Sequence, residues 1–263
     1  MSKVSNSPVS IDQMGRVRPS PNIKALAHTT SRNYFRFPEE QVDLSESHKL
    51  LLRSFPNVVK AEIFNEKILA LYKKARNLLK FPPTVPLVYA PIFMPRLQHD
   101  DIAVELENVY FPAINAAYKA VFPDYDFTVE YKDSLGGKIQ SIEGLGHDRL
   151  EEMARKSDII GITMFVLREY SVQAAREQML NMPTDFALAG ILDVSAALVS
   201  RPGLMFNTVQ YAPMVWASGC ETPWEHANFH YEGYGYNLMF NRRVHHELVA
   251  EYWSHGISLF EGV

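Results

Sequence analysis

The side chains best equipped for chemistry crowd one stretch near the C-terminal end, Ser218-Gly-Cys-Glu-Thr-Pro-Trp-Glu-His-Ala-Asn-Phe-His-Tyr-Glu232. Thr222-Pro-Trp-Glu225 has the form of a capping box, with threonine at the N-cap, proline at the first helical position and glutamate at the third. A helical turn starting there puts His226 and His230 at i and i+4 on one face. That spacing lets two imidazoles bind one divalent transition metal, with Glu232 or a remote carboxylate as third ligand. The HExxH arrangement of zinc proteases is absent, because Glu225 precedes His226 and Ala227 follows it. Without a metal, one imidazole can serve as general base and the other as electrostatic donor; a third reading makes the pair hydrogen-bonded packing. Cys220 stands just ahead of the same turn. A thiol beside a helix N-terminus and a histidine can be activated as a nucleophile, and a buried, inert cysteine is the competing reading.

Residues 229–240 read as a strand that lines up His230, Glu232, Tyr234, Tyr236, Leu238 and Phe240 on one face, with Gly233 and Gly235 on the other. Trp224, Tyr234 and Tyr236 then become the candidate wall of a pocket for a small planar molecule. Val244, Leu248, Val249, Tyr252 and Trp253 recur at helical spacing, which predicts a last helix over 243–255 with Gly256 as its stop. On it, Glu251 and His255 form an i,i+4 pair that favours a protonated histidine. A hairpin around Asn241-Arg242 is the alternative for this region. Gly144-Leu-Gly146-His147-Asp148 lacks the third glycine of a dinucleotide fingerprint and reads as an ordinary turn opening a helix.

Charge singles out the same end of the chain. Residues 203–263 hold Arg242 and Arg243 as their only basic side chains, no aspartate and six glutamates, which accounts for the whole formal charge of −4. They also hold five of the nine histidines and all three tryptophans. Histidine, carboxylate and aromatic groups gathered together are the material of a polar site in an aromatic setting. The rest of the composition excludes other classes. With 47% hydrophobic residues the 263-residue chain can build a core, and its near-neutral charge gives no long-range attraction to nucleic acid. No apolar run is long enough to span a membrane, and one cysteine rules out an internal disulfide framework. A cytoplasmic protein is the expectation.

The elements that must position these residues can be read in outline. Residues 1–37, with six serines, three prolines and Asp12 as the only acid, read as a flexible N-terminal arm, disordered or draped over the body. Helices are expected over 44–55, 60–80 and 100–121, the last with a kink at Pro112. Five prolines between 82 and 95 make 87–93 an extended edge or connector. Strands are expected at 125–131, 138–142 and, most strongly, 158–166, with helices at 148–156 and from Ser171 to Met182. Residues 185–200 are either a strand followed by a helix opened by Asp193 or one continuous helix. The expected fold is α/β or α+β, with a helical N-terminal half and a mixed sheet with covering helices in the C-terminal half. Residues 38–263 form one globular domain, divisible into a helical part, 38–124, and an α/β part, 125–263. The functional expectation is a small-molecule enzyme with His226, His230, Glu232 and Cys220 as chemical groups and one divalent transition metal as a candidate cofactor. The alternative is a binding or assembly protein, a homo-oligomer included, that uses the aromatic C-terminal surface.

Overall fold

The longest apolar run of the chain becomes a strand buried at every position, β4 (Ile159–Arg168), and the sheet is built outward from it. This is seen in a computed structural model that describes residues 9–32, 34–38 and 41–263. On one side β4 pairs antiparallel with β1 (Tyr89–Met94), whose prolines suit the sheet edge it occupies. On the other it pairs antiparallel with β10 (Trp253–Gly262). The order continues through β6 (Met214–Trp216), β8 (Ala227–Tyr234), β9 (Asn237–Val244) and β2 (Phe127–Val129), with β10–β6 and β9–β2 parallel and the rest antiparallel. The short β5 (Ala187–Leu188) pairs with the far half of β10. A separate two-stranded ribbon joins β3 (Gln140–Ser141) to β7 (Cys220–Glu221).

The helices fall in the order α1 (Leu44–Ser54), α2 (Ala61–Leu78), α3 (Ile102–Glu105), α4 (Phe111–Val121), α5 (His147–Ala154), α6 (Val172–Met179) and α7 (Ile191–Ser200). Asp43 caps α1 by accepting from the N–H groups of Ser45 and Glu46, and Ser171 caps α6 through Ala174. The stretch read as one kinked helix keeps its ends but contains a π turn, Leu106–Tyr110, between α3 and α4. Pro112 has no N–H and its ring crowds the carbonyl four residues back, and the wider turn directly ahead of it accommodates both. α7 is buried on all sides, as a helix of sequence ILDVSAALVS must be, and packs against β1, α1 and α4. So 185–200 is a strand and then a helix, opened at Ile191 rather than Val194.

The architecture is a mixed α+β fold, with helices concentrated in the N-terminal half and a large mixed sheet filled mainly from the C-terminal half. Part of the arm lies on the body. Val17 is fully buried and its N–H bonds Val166, while Arg16 is ion-paired with Glu169. Residues 1–8 and Asn33 of the same segment lie outside the described residues.

Two expected helices near the C-terminal end are strands and turns instead. The Thr222 hydroxyl donates to the carbonyls of Trp224 and Ala227, the reverse of an N-cap, and β8 starts at Ala227. Residues 243–255 are divided between β9, a turn and the central strand β10. In both places cross-strand pairing with buried neighbours outweighs a local helical pattern. The hairpin turns at Gly235 (φ +56°) and Tyr236 (φ +67°), two left-handed positions in succession, and not at Asn241-Arg242.

Candidate active site

Three chain segments converge on the sulfur of Cys220. The first is the start of α5, where Gly146 (φ +91°) precedes His147; a Cβ there would lie 2.6 Å from the Cα of Ala187, so only glycine lets β5 approach. The second is the start of α7, where the Ile191 N–H points to Cys220 Sγ at 3.4 Å. The third is the β3–β7 ribbon, in which Ser141 stands directly opposite Cys220. His147 Nδ1 lies 3.6 Å from the sulfur and 2.7 Å from Ser141 Oγ, and Ser141 donates to Glu151 Oε2 at 2.5 Å. On the other side of the ring, His147 Nε2 faces Asp193 Oδ1 at 3.6 Å. Asp193 also accepts from the Gly190 N–H at 2.8 Å and from the Ser258 hydroxyl. Cys220, His147 and Asp193 are all fully buried.

This wiring fixes the protons on the imidazole. Ser141 gives its hydrogen to Glu151, so it receives one from Nδ1. Nε2 faces a carboxylate, so it too favours a proton. Burial works against the charged ring, but the Cys220 sulfur, Asp193 and Glu151 outweigh it and raise the His147 pKa to about 9. The buried ring thus lies beside a sulfur at the positive end of α7, and burial in turn raises the pKa of the Asp193 carboxyl that faces it. Arg176 donates to the carbonyls of Ser218 and Cys220, and Asn228 to those of Ala217 and Cys220, which holds the cysteine turn in place. Outside it, Ser141 and Glu151 form part of the wall of an open groove of about 490 Å³ that also includes Asp101, Asp148, Glu152 and Arg155.

The other residues singled out in the sequence do not join this cluster. His226 lies in the turn before β8 with a side chain 64% exposed, near the carboxylates of Glu225 and Glu247 at 3.8 Å. His230 is buried in β8 against the Trp216 ring, and its Nε2 is 3.4 Å from Glu232 Oε1. Burial lowers the His230 pKa despite that carboxylate, which is itself held low by its bond to His230. The structure thus brings His230 and Glu232 together, while the helical turn that would have given His226 and His230 a common face is not formed. No group of three or more histidine, cysteine or acidic side chains among the described residues is arranged to hold a metal ion. Trp224 is half-buried beneath the Arg242 guanidinium, 4.2 Å from its ring centre. Tyr234 and Tyr236 are exposed at the hairpin turn, and Tyr236 borders a different groove, with Met205, Val209 and Tyr211. His255 does not pair with Glu251 on a helix. It is buried in β10, bonded to Ser218 Oγ and the Tyr170 carbonyl, and burial pushes its pKa down to about 4.

No family model, curated protein or solved structure matches this chain.

The residues that sequence reasoning missed are His147, Asp193, Ser141 and Glu151. His147 was in view as part of the Gly144–Asp148 turn, and that turn is an ordinary one, closed by Asp148 accepting from the N–H groups of Gly144 and Gly146. No signal in the sequence singled them out, and the tightness of the packing around them shows only in the fold. Gly146, Gly190 and Gly219 each surround the cluster at positions where a Cβ would strike a neighbour at 2.6 Å or less.

Proposed function

We propose that this protein is a small-molecule enzyme that uses Cys220 as a thiol nucleophile, with His147 as its proton partner. The observation that carries the reading is the 3.6 Å approach of His147 Nδ1 to Cys220 Sγ at the head of α7. The reaction class it supports is acyl transfer. His147 holds the proton given up by the Cys220 thiol; the sulfur attacks a carbonyl carbon, forming a C–S bond, and the leaving group takes that proton from His147 as its bond to carbon breaks. Water or another acceptor then attacks the thioester carbon and gives its proton to His147, and the C–S bond breaks to release the acyl product and return the sulfur of Cys220 to its starting state. Asp193, 3.6 Å from Nε2, offsets the charge on the ring, while the Ile191 N–H at the head of α7 points to the sulfur. The neighbouring groove has the size of a small-molecule site. The metal-ligand role considered for His226, His230 and Glu232 has no part in this chemistry.

The test is acylation of Cys220 by an electrophilic acyl probe, followed by mass spectrometry. The expected result is faster labelling in the native protein than in urea, abolished in Cys220→Ala and reduced about a hundredfold in His147→Ala. Equal labelling of native and unfolded chains would overturn it.

A second reading, assembly through the aromatic C-terminal surface, is favoured by one observation: Val209, Tyr211 and Tyr234 are 89%, 74% and 73% exposed. Sedimentation of the wild type and of Tyr211→Ser/Tyr234→Ser decides it. A wild-type oligomer lost in the variant supports this reading, and a monomer at all concentrations removes it.

A further inference from the structure

A thiol nucleophile must be reached, yet Cys220 and His147 have no exposed surface. Ser141 is the link between inside and outside. It belongs to the groove wall, its hydroxyl meets the ring nitrogen that faces the sulfur, and its backbone lies opposite Cys220. We propose that residues 138–143, carrying β3, are a hinged gate, and that the groove beside them is the route to Cys220. The proposal rests on the thiol reading above for its purpose, but not for its mechanics.

Four features make this segment able to swing while its surroundings stay in place. Its ribbon is only two residue pairs long and lies off the main sheet, a size of pairing with little stability of its own. Both ends are left-handed glycines, Gly137 (φ +70°) and Gly144 (φ +80°), around which a Cβ would find no atom within 4 Å. Each pivot is tied by its own N–H to a helix-borne carboxylate, Gly137 to Asp101 at 2.6 Å and Gly144 to Asp148 at 2.8 Å. The bonds across the moving part are few. Besides the two pairs of the ribbon they are Ile142 N–H to the Gly219 carbonyl at 3.0 Å, Lys138 N–H to the Leu135 carbonyl at 2.8 Å, Ser141 with Glu151 and His147, and Lys138 Nζ with the Ser134 carbonyl and the Tyr131 hydroxyl, and Ile139 is the segment's one buried side chain.

The floor of the site is anchored independently of the gate. His147 belongs to α5 behind the wedged Gly146, and Cys220 is tied down by Arg176 and Asn228. Lifting β3 therefore uncovers the sulfur and removes only Ser141 from the imidazole. The Cys220–His147–Asp193 geometry survives the opening.

Gln140 and Glu221 stand opposite one another in the ribbon, so a Gln140→Cys/Glu221→Cys disulfide would lock it shut. The experiment compares iodoacetamide labelling of Cys220, read by peptide mass spectrometry, in the full-length double variant before and after reduction. The lock is expected to slow labelling about tenfold or more, and reduction to restore the wild-type rate. In the wild-type chain, which needs no engineered bond, the Ile142 amide should exchange with solvent far faster than those of β4. Lys138→Met, which removes an outer tie remote from the sulfur, should speed both labelling and exchange. Unchanged labelling in the locked form, or an Ile142 amide as protected as the β4 amides, overturns the gate. If the lock slows labelling but the open protein reacts no faster than the unfolded chain, the gate stands and the thiol reading falls.

Discussion

Two parts of this molecule hold imidazole and carboxylate at nearly the same separation in opposite surroundings. At the surface, His226 and His245 stand 3.8 and 3.6 Å from Glu247, with both rings mostly in water. Inside, His147 stands 3.6 Å from Asp193 with neither group exposed. Water screens the first set, and exposed pairs of this kind contribute no more than about 1 kcal/mol. In the second, every neighbour acts through a weakly polarisable medium, so the ring's charge depends on Cys220, Asp193 and Glu151 together. Residue types alone do not distinguish the two regions. Histidine is most abundant in the C-terminal 61 residues, yet the imidazole that lies 3.6 Å from the Cys220 sulfur is the one at position 147.

The comparison can be broken most forcefully at glycine. A Cβ on Gly190 would fall 2.3 Å from the His147 ring and 2.6 Å from Cys220 Sγ. Gly190→Ala should therefore cost about 3 kcal/mol in urea denaturation and displace the ring from the sulfur. The matched change at the exposed hairpin, Gly235→Ala, meets no neighbour and carries only the strain of a left-handed backbone, about 1 kcal/mol. Equal costs at the two positions would mean that the inner cluster is not tightly packed.

Acid separates the regions next. His255 has its pKa depressed to about 4 by burial, so the unfolded chain binds its proton more readily than the folded one. Stability from this group is intact above the ordinary histidine pKa of about 6.5 and is lost as pH falls from there to about 4. The loss is on the order of 3 kcal/mol, and it should be missing from the pH profile of His255→Gln. Three of the five C-terminal histidines, His230, His246 and His255, are held down in this way, so the charge swing that composition suggests near pH 6–7 is smaller than five protons.

How much of this was legible follows from the range of each interaction. α1, α2 and β4 were readable because their signals are local: the stop at Pro56 after α1, the apolar stripe of α2 and the unbroken apolar run of β4. The capping box at Thr222 and the heptad-like run at 243–255 misled because their residues are claimed by pairing with β9, β4 and β6. Cys220 could be seen as a thiol in need of a helix end and a histidine. The helix that supplies the first is α7, 29 residues upstream, and the histidine is 73 residues upstream, separations at which spacing carries no information. The constraint on Gly190, the closeness of His147 and Cys220, is visible only in three dimensions.

The imidazoles themselves sharpen the contrast at smaller amplitude. Cys220 is among the groups that hold the His147 pKa at about 9, so Cys220→Ala should lower it, and NMR titration of the ring reads the change directly. In the wild type, the stability due to this proton is present below about pH 6.5 and lost as pH rises through about 9. A ring that titrates identically in both proteins would remove the sulfur from its surroundings and with it the basis for the thiol chemistry.

The smallest expected effect is at the surface. His226→Ala, Glu247→Ala and the double variant should each change stability by about 0.5 kcal/mol or less, with a coupling energy near zero in a double-mutant cycle. His226 has two carboxylates within 4 Å, and on distance alone it resembles His147. A coupling as large as that of a buried pair would show that distance and not burial governs these sites, and the distinction between the two regions would collapse. A coupling near zero leaves desolvation as the variable that turns the same residue types into a coupled, buried cluster in one place and a solvated edge in the other.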